Sequence, residues 1–99
     1  MVVVVKNGKA ELRKDTGVRV ACIGTSGAVS AALSADESLV AVCYSSGKVG
    51  VYKARGSLFH MFPTKDAVGV SFSGNDVLIA RSSGKSELHR PSGTLIRTF

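Results

Sequence analysis

Apolar residues alternate with polar or small ones in short stretches along the whole chain, separated by turns rich in glycine, serine and aspartate. A period of two combined with many β-branched residues predicts β-strands, and no stretch keeps the spacing of a helix long enough to compete. The predicted strands span residues 2–5, 9–14, 18–23, 28–33, 39–44, 48–53, 57–62, 67–72, 77–81, 85–90 and 94–99. The pattern therefore predicts an all-β protein.

The strands and turns recur in a fixed order. Residues 28–62 and 67–99 each pass through four predicted strands, and both contain Ser-Ser-Gly-Lys before the third strand, at 45–48 and 82–85. Residues 2–23 supply the last three strands of the same unit, and residues 24–27 and 63–66 link the units. We therefore predict a single domain, 1–99, made of two whole repeats preceded by about two-thirds of a third one.

A second interpretation of the Ser-Ser-Gly-Lys stretch is a phosphate-binding loop, because Gly84-Lys85-Ser86 is how such a loop ends. The motif also needs glycine five residues before its last glycine, where this chain has Ile79. A predicted strand follows the stretch, whereas a phosphate loop leads into a helix N-terminus. We interpret the stretch as a hairpin turn and predict no cofactor site.

Tandem four-stranded meanders of about 40 residues are typical of β-propeller blades. Residues 30–52 and 70–89 resemble WD-repeat blades, in which a Ser-x-Asp-Gly turn precedes an apolar strand and a Trp-Asp step ends the third strand. At the Trp-Asp position this chain has Tyr52-Lys53, His89-Arg90 and Arg13-Lys14. The resemblance implies tandem antiparallel meanders, with a partial blade at 2–23 and whole blades at 28–62 and 67–99.

Propellers close with about four to eight blades, so about two and two-thirds blades cannot close a ring alone. We therefore expect copies of the chain to associate head to tail as a homo-dimer or homo-trimer. The predicted oligomer edge is the apolar strand Val2, Val3, Val4 and Val5, which lacks the first strand of its repeat. A partner peptide that adds a strand there is a further expectation. A duplicated sandwich or barrel stays open as an alternative fold.

Basic residues give the chain a net charge of +6 and recur in register. One set begins the third strand of each repeat and the other ends it: Lys9, Lys48 and Lys85, then Lys14, Lys53 and Arg90. At about 3.3 Å per residue the two sets are roughly 17 Å apart, at opposite rims. They are candidates for binding an anion, a nucleic acid or a partner. The simpler interpretation is that they are solvated and protect strand edges.

Few residues suggest chemistry. We predict that Cys22 and Cys43 are buried, reduced thiols. His60 and His89 lack a Cys, His or carboxylate neighbour at metal-ligand spacing, and the acidic residues fall mainly in turns. We therefore predict no catalytic residues, no metal site and no enzyme. The chain also has no tryptophan to stack on a sugar.

No apolar run approaches the roughly 20 residues of a membrane span, and the first residues do not resemble a signal peptide. We expect a cytoplasmic protein without a membrane partner. The leading functional hypothesis is a non-enzymatic, homo-oligomeric propeller-like module for binding or scaffolding, with itself and another protein as partners. The alternatives are a basic nucleic-acid or anion binder and, more weakly, a carbohydrate-binding propeller.

Overall fold

The computed structural model describes residues 1–24, 26–62 and 64–99; Thr25 and Pro63, one in each predicted linker, lie outside them. The described residues form three antiparallel sheets. Sheet 1 contains β1 (Val2–Lys6), β2 (Lys9–Arg13) and β3 (Arg19–Ile23). Sheet 2 contains β4 (Ala28–Leu33), β5 (Leu39–Tyr44), β6 (Val49–Lys53) and β7 (Leu58–Phe62). Sheet 3 contains β8 (Ala67–Ser73), β9 (Asp76–Arg81), β10 (Ser86–His89) and β11 (Leu95–Thr98).

Every predicted strand is present, in sequence order within its sheet, so the all-β prediction is confirmed. The strand predicted as the third of each repeat, namely β2, β6 and β10, is shorter than predicted. Lys14, Lys48, Lys85 and Arg90 lie in the adjoining turns, where their backbone groups close the hairpins. Lys48 C=O, for example, accepts a hydrogen bond from Tyr44 N–H at 2.9 Å.

The hairpin before β2, β6 and β10 differs between the sheets. In sheet 1 it is a two-residue turn in which both Asn7 and Gly8 have positive φ, 54° and 74°. This is the combination that a tight type I′ hairpin requires. In sheets 2 and 3 the turn is one residue longer and only its glycine, Gly47 or Gly84, has positive φ. Each residue of β1 is therefore one position closer in sequence to its hairpin glycine, Gly8, than its equivalent in β5 is to Gly47.

The three sheets pack face to face in succession, which creates two apolar seams. The first seam, between sheets 1 and 2, buries Ala10, Leu12, Ile23, Ala28, Val40, Val42, Tyr44 and Tyr52. The second seam, between sheets 2 and 3, buries Ala41, Cys43, Val49, Val51, Phe62, Ala67, Val77 and Ile79. Burial of a valine or isoleucine side chain stabilises the fold by about 1.5–3 kcal/mol.

Sheet 2 contributes to both seams because successive side chains of a strand point to opposite faces. Val40 and Val42 of β5 lie in the first seam, whereas Ala41 and Cys43 lie in the second. This explains why β5 is apolar at every position. Sheets 1 and 3 each keep one face that no other sheet of the chain covers.

Backbone hydrogen bonds join consecutive sheets in the same way at both seams. Ala28 N–H donates to Gly8 C=O at 2.8 Å, and Ala67 N–H donates to Gly47 C=O at 3.2 Å. We call β4 and β8, the first strands of the two whole repeats, the inner strands. In both cases the first residue of an inner strand bonds to the hairpin of the preceding sheet. The repeat in the sequence is therefore also a repeat in how one sheet follows the next.

Candidate functional site

The four valines of β1 divide between the two faces of sheet 1. Val3 and Val5 lie opposite Leu12 and Ala10, on the face that forms the first seam, and Val3 packs against that core. Val2 and Val4 lie opposite Arg13 and Glu11, on the uncovered face. Their exposed fractions are 45% and 37%. The predicted oligomer edge thus contains two valines on the open face and two on the covered one.

The uncovered face of sheet 1 is equivalent to the faces of sheets 2 and 3 that a preceding sheet buries. Val2 takes the place of Val40 and Val77, because it lies opposite Arg13 as they lie opposite Tyr52 and His89. Val4 likewise takes the place of Val42 and Ile79. All four of these equivalents are 0% exposed, because a preceding sheet covers them.

The uncovered face of sheet 3 is equivalent to the face of sheet 2 that packs against sheet 3. Leu78 and Leu88 face each other across β9 and β10, as Ala41 and Val51 do across β5 and β6. Ala41 and Val51 are 0% exposed in the second seam, whereas both leucines are only half-buried. Phe99 N–H donates a hydrogen bond to Ser86 C=O, which gives Phe99 the position in sheet 3 that Phe62 has in sheet 2. Phe99 is 64% exposed, whereas Phe62 is only 3% exposed. Sheet 3 therefore ends in a face suited to receive a following sheet.

A cluster of charged residues lies on the face of sheet 3 that forms the second seam. Glu87 Oε1 is 3.0 Å from Arg81 Nη2 and 3.1 Å from His89 Nε2. Arg81 Nη1 also binds Asp66 Oδ1 at 2.7 Å. The hydrogen bond with His89 lowers the pKa of the Glu87 carboxyl, desolvation opposes this, and Arg81 lowers the pKa further.

The charged cluster gives His89 a carboxylate neighbour in space. Glu87 and His89 are two residues apart on one strand, so both side chains point into the same seam. The His89 ring also meets the Phe62 ring edge-on, with centroids 5.0 Å apart. His60 also meets the Phe62 ring edge-on, with centroids 4.7 Å apart. The two histidines thus pack around one phenylalanine, an arrangement that only the seam brings together.

The equivalent positions differ in the other two sheets. In sheet 2, Tyr44 and Tyr52 take the places of Arg81 and His89, and their hydroxyl oxygens are 2.6 Å apart. In sheet 1, Glu11 binds Arg13 Nε at 3.1 Å on the uncovered face, and this hydrogen bond lowers the pKa of the Glu11 carboxyl. Sheet 1 therefore has an acid–base pair on its uncovered face. At the equivalent position sheet 3 has the Glu87–His89 pair, which sheet 2 covers.

The two basic sets lie at opposite ends of the third strands, β2, β6 and β10. Lys9, Lys48 and Lys85 lie at the end next to the preceding hairpin, and Lys14, Lys53 and Arg90 at the other end. All six side chains are exposed. Binding of an anion, a nucleic acid or a partner by these residues stays a prediction.

Both cysteines are free thiols, but only one is buried. Cys43 lies in the second seam, 3.4 Å from the carbonyl oxygen of Ala67, and burial raises the pKa of its thiol. Cys22 is exposed, which makes the prediction of two buried thiols wrong. It lies opposite Glu11 on the uncovered face of sheet 1.

Within residues 1–24, 26–62 and 64–99, no cavity is present and no three His, Cys, Asp or Glu side chains are grouped to hold a metal ion. That part of the chain also contains no helix able to cross a membrane.

No protein-family model matches this sequence, and no curated protein matches it. Among solved structures, the chain is similar to the Neurospora crassa Pan2 WD40 domain, with a TM-score of 0.72, 15% identity and 98% of this chain covered. It is also similar to BamB from Moraxella catarrhalis, with a TM-score of 0.80, 15% identity and 100% covered. The fold is that of consecutive β-propeller blades. Sheets 1, 2 and 3 are the blades, so the sandwich or barrel alternative is wrong. The chain spans 32% of the length of each of these two proteins.

Proposed function

We propose that the chain is a non-enzymatic, homo-oligomeric propeller module for binding or scaffolding, in which copies associate head to tail. The observation that carries this proposal is the repetition of faces. Sheet 3 ends in a face like the one that sheet 2 presents to sheet 3. Sheet 1 begins with a face like those that sheets 2 and 3 present to their preceding sheets.

The apolar content of the two uncovered faces favours their association. Val2, Val4 and Phe99 are substantially exposed, although their equivalents in the two seams are almost fully buried. An uncovered blade face that is apolar favours association with a second surface. A second copy supplies the matching surface because its sheet 1 can follow sheet 3 as sheet 3 follows sheet 2.

The charged pair on sheet 1 is compatible with such a seam. Glu87 and His89 show that an acid–base pair at this place in the repeat is accommodated under a neighbouring sheet, with the Phe62 ring against it. In the proposed assembly Phe99 would lie over Glu11 and Arg13 in the same way. The pair would then be covered with both charges already satisfied.

The non-enzymatic part of the proposal rests on what the titratable residues already do. Glu87 holds Arg81 and His89, and the hydroxyls of Tyr44 and Tyr52 bind each other. These groups stabilise the seams, which accounts for their presence without catalysis. The sheet faces and edges remain as surfaces for binding.

The test is the mass of the chain in solution, measured by light scattering over a range of concentrations. We expect a stable dimer or trimer. Val4→Lys places a charge on the uncovered face and should shift the mass to that of a monomer. Val18→Lys is the matched control, because Val18 is 60% exposed in the turn before β3 and should leave the mass unchanged. A wild-type chain that is monomeric at every concentration would contradict the proposal.

A second candidate function is binding of nucleic acid or another polyanion by the two basic sets. The observation in its favour is that all six side chains are exposed at two ends of the same strands. Such binding weakens steeply with salt. Fluorescence anisotropy with a labelled oligonucleotide should then show a salt slope that falls when Lys9, Lys48 and Lys85 are changed to Ala. Binding absent at low salt would remove this candidate.

A further inference from the structure

The free edge of β1 has backbone groups that point away from its sheet. β1 is an edge strand, and Lys6 and Lys9 face each other directly across the two-residue turn. Such a pair exchanges hydrogen bonds, and in an antiparallel ladder the bonded positions alternate. The backbone groups of Val2 and Val4 therefore face β2, whereas those of Val3 and Val5 face the free edge.

The equivalent edges of the other two sheets are occupied by the inner strands. In sheet 2, Ala41 and Cys43 of β5 lie opposite Ala32 and Ser30 of β4. In sheet 3, Leu78 and Ala80 of β9 lie opposite Ser71 and Gly69 of β8. Val3 and Val5 take the places of Ala41 and Cys43, because they pair with β2 at the positions where Ala41 and Cys43 pair with β6. In sheets 2 and 3 an inner strand thus pairs with the edge that is equivalent to the free edge of β1.

We propose that the free edge of β1 binds an extended segment of a partner protein, which pairs antiparallel with Val3 and Val5 as an inner strand. This proposal deepens the binding role proposed above by specifying a peptide ligand. It does not require copies of the chain to associate. A strand added to a sheet edge gains affinity from main-chain hydrogen bonds and specificity from alternate side chains.

The two inner strands indicate which side chains the ligand should carry. Residues opposite the edge are small, namely Ser30 and Ala32 in β4, and Gly69 and Ser71 in β8. The residues between and after them are apolar and pack into a seam: Ala31 and Leu33 into the first seam, Val70 and Phe72 into the second. The expected ligand therefore alternates small residues opposite Val5 and Val3 with apolar residues on the face of Val2 and Val4.

The small residues have a physical reason. Directly opposite residues of two paired strands share a face, so a residue opposite Val5 or Val3 points toward sheet 2. The inner strand β4 follows there, and Ala28 bonds to Gly8 of the sheet 1 hairpin at 2.8 Å. Large side chains would meet β4, whereas glycine, serine or alanine would fit.

The experiment uses the full chain labelled with ¹⁵N and a synthetic peptide with the sequence of residues 67–73, Ala-Val-Gly-Val-Ser-Phe-Ser. Amide hydrogen exchange is measured with and without the peptide. We expect the amides of Val3 and Val5 to exchange at least about tenfold more slowly with the peptide bound, because each gains a hydrogen bond. The amides of Val2 and Val4 should change little, since they already bond to β2.

Two controls test the register and the chemistry of the ligand. A peptide in which the residues corresponding to Gly69 and Ser71 are both isoleucine should give no protection. Val3→Pro removes one outward N–H, and proline is tolerated at such a position of an edge strand. Circular dichroism should show that this variant still folds, while peptide binding is lost. Val4→Thr keeps every edge N–H and should bind as the wild type does.

The mass of the labelled chain is measured in the same samples, so that this proposal and the ring proposal can fail separately. Protection of Val3 and Val5 in a monomer supports the strand site and contradicts the ring. An oligomer without protection at saturating peptide overturns the strand site alone. Val3 and Val5 amides that are already slow in an oligomer without peptide would show that a second copy fills the edge, which overturns the partner peptide.

Discussion

The hydroxyl oxygens of Tyr44 and Tyr52 lie 2.6 Å apart in the first seam, and the Tyr52 ring lies against Gly50. Burial raises the pKa of the Tyr52 hydroxyl, and the hydrogen bond with Tyr44 adds to this effect, so the hydroxyl stays protonated. A β-carbon at Gly50 would lie 2.8 Å from Cε1 of that ring. The hydrogen-bonded pair thus fixes the ring where only a glycine fits.

Gly50→Ala should therefore destabilise the protein by about 1–3 kcal/mol, the usual effect of overpacking a core. The measurement is chemical denaturation followed by circular dichroism. Gly69→Ala is the matched control within a strand, because its β-carbon would make an ordinary contact with Ala80 at 3.9 Å. Equal losses of stability in the two variants would contradict the role given to the tyrosine pair.

Gly47 and Gly84 give a second matched pair, since both occupy the same hairpin position with φ of 88°. Alanine at either site incurs the cost of the left-handed region, about 1–2 kcal/mol. At Gly47 a β-carbon would also collide with the backbone of Lys65 and Asp66, whereas at Gly84 nothing lies within 4 Å. Gly47→Ala should thus cost at least about 1–3 kcal/mol more than Gly84→Ala in urea denaturation of the monomer.

Stability should depend on pH through the Glu87 carboxyl. Its pKa in the folded chain is lowered below the ordinary value of 4.5. A carboxyl with a lowered folded pKa contributes stability that is fully present above the unfolded pKa and is lost as the pH falls through the folded pKa. The free energy of unfolding should therefore fall as the pH is lowered below 4.5.

Glu87→Gln isolates this contribution, because glutamine keeps the shape but cannot ionise. In denaturation curves measured from neutral pH into the acid range, the variant should lose less stability than the wild type. Asp76→Asn is a control at the first residue of β9 in the same sheet, and should leave the wild-type pH dependence in place. Parallel curves for Glu87→Gln and the wild type would exclude Glu87 as the source.

The two thiols should differ in reactivity. Cys22 is exposed, whereas Cys43 is buried and its thiol pKa is raised, which disfavours the reactive thiolate. A thiol reagent added to the native monomer should label Cys22 rapidly and Cys43 only on unfolding, as followed by mass spectrometry of peptides. Rapid labelling of Cys43 in the native chain would show that the second seam opens readily.

The strands and turns were predictable from sequence because their signals are local. Alternation marks each strand, and glycine at a positive φ marks each hairpin, as at Gly47 and Gly84. The recurrence of these signals, together with the blade resemblance, was enough for the propeller fold. The face of each residue of β1 was not predictable from its distance to the hairpin glycine, because the first hairpin is one residue shorter.

The contacts inside the seams could not be read from sequence. His60 and His89 belong to different sheets, and only the packing of sheet 3 on sheet 2 brings both rings against Phe62. The Glu87–His89 spacing of two residues did carry a signal, since neighbours at that spacing share a face of a strand. Cys22 was predicted to be buried because it lies on a predicted strand, but burial depends on whether a neighbouring sheet covers its face.

Sheet 2 contributes one face to each seam, so the stability of sheets 1 and 3 depends on their contacts with sheet 2 and hardly on contacts with each other. In a linear array of this kind, stability is the sum of each unit and its contacts with its neighbours. The outer sheets can therefore fray independently, while loss of the middle sheet removes both seams at once. Unfolding should proceed inward from either end, and the amides of β5 and β6 should be the last to exchange with solvent.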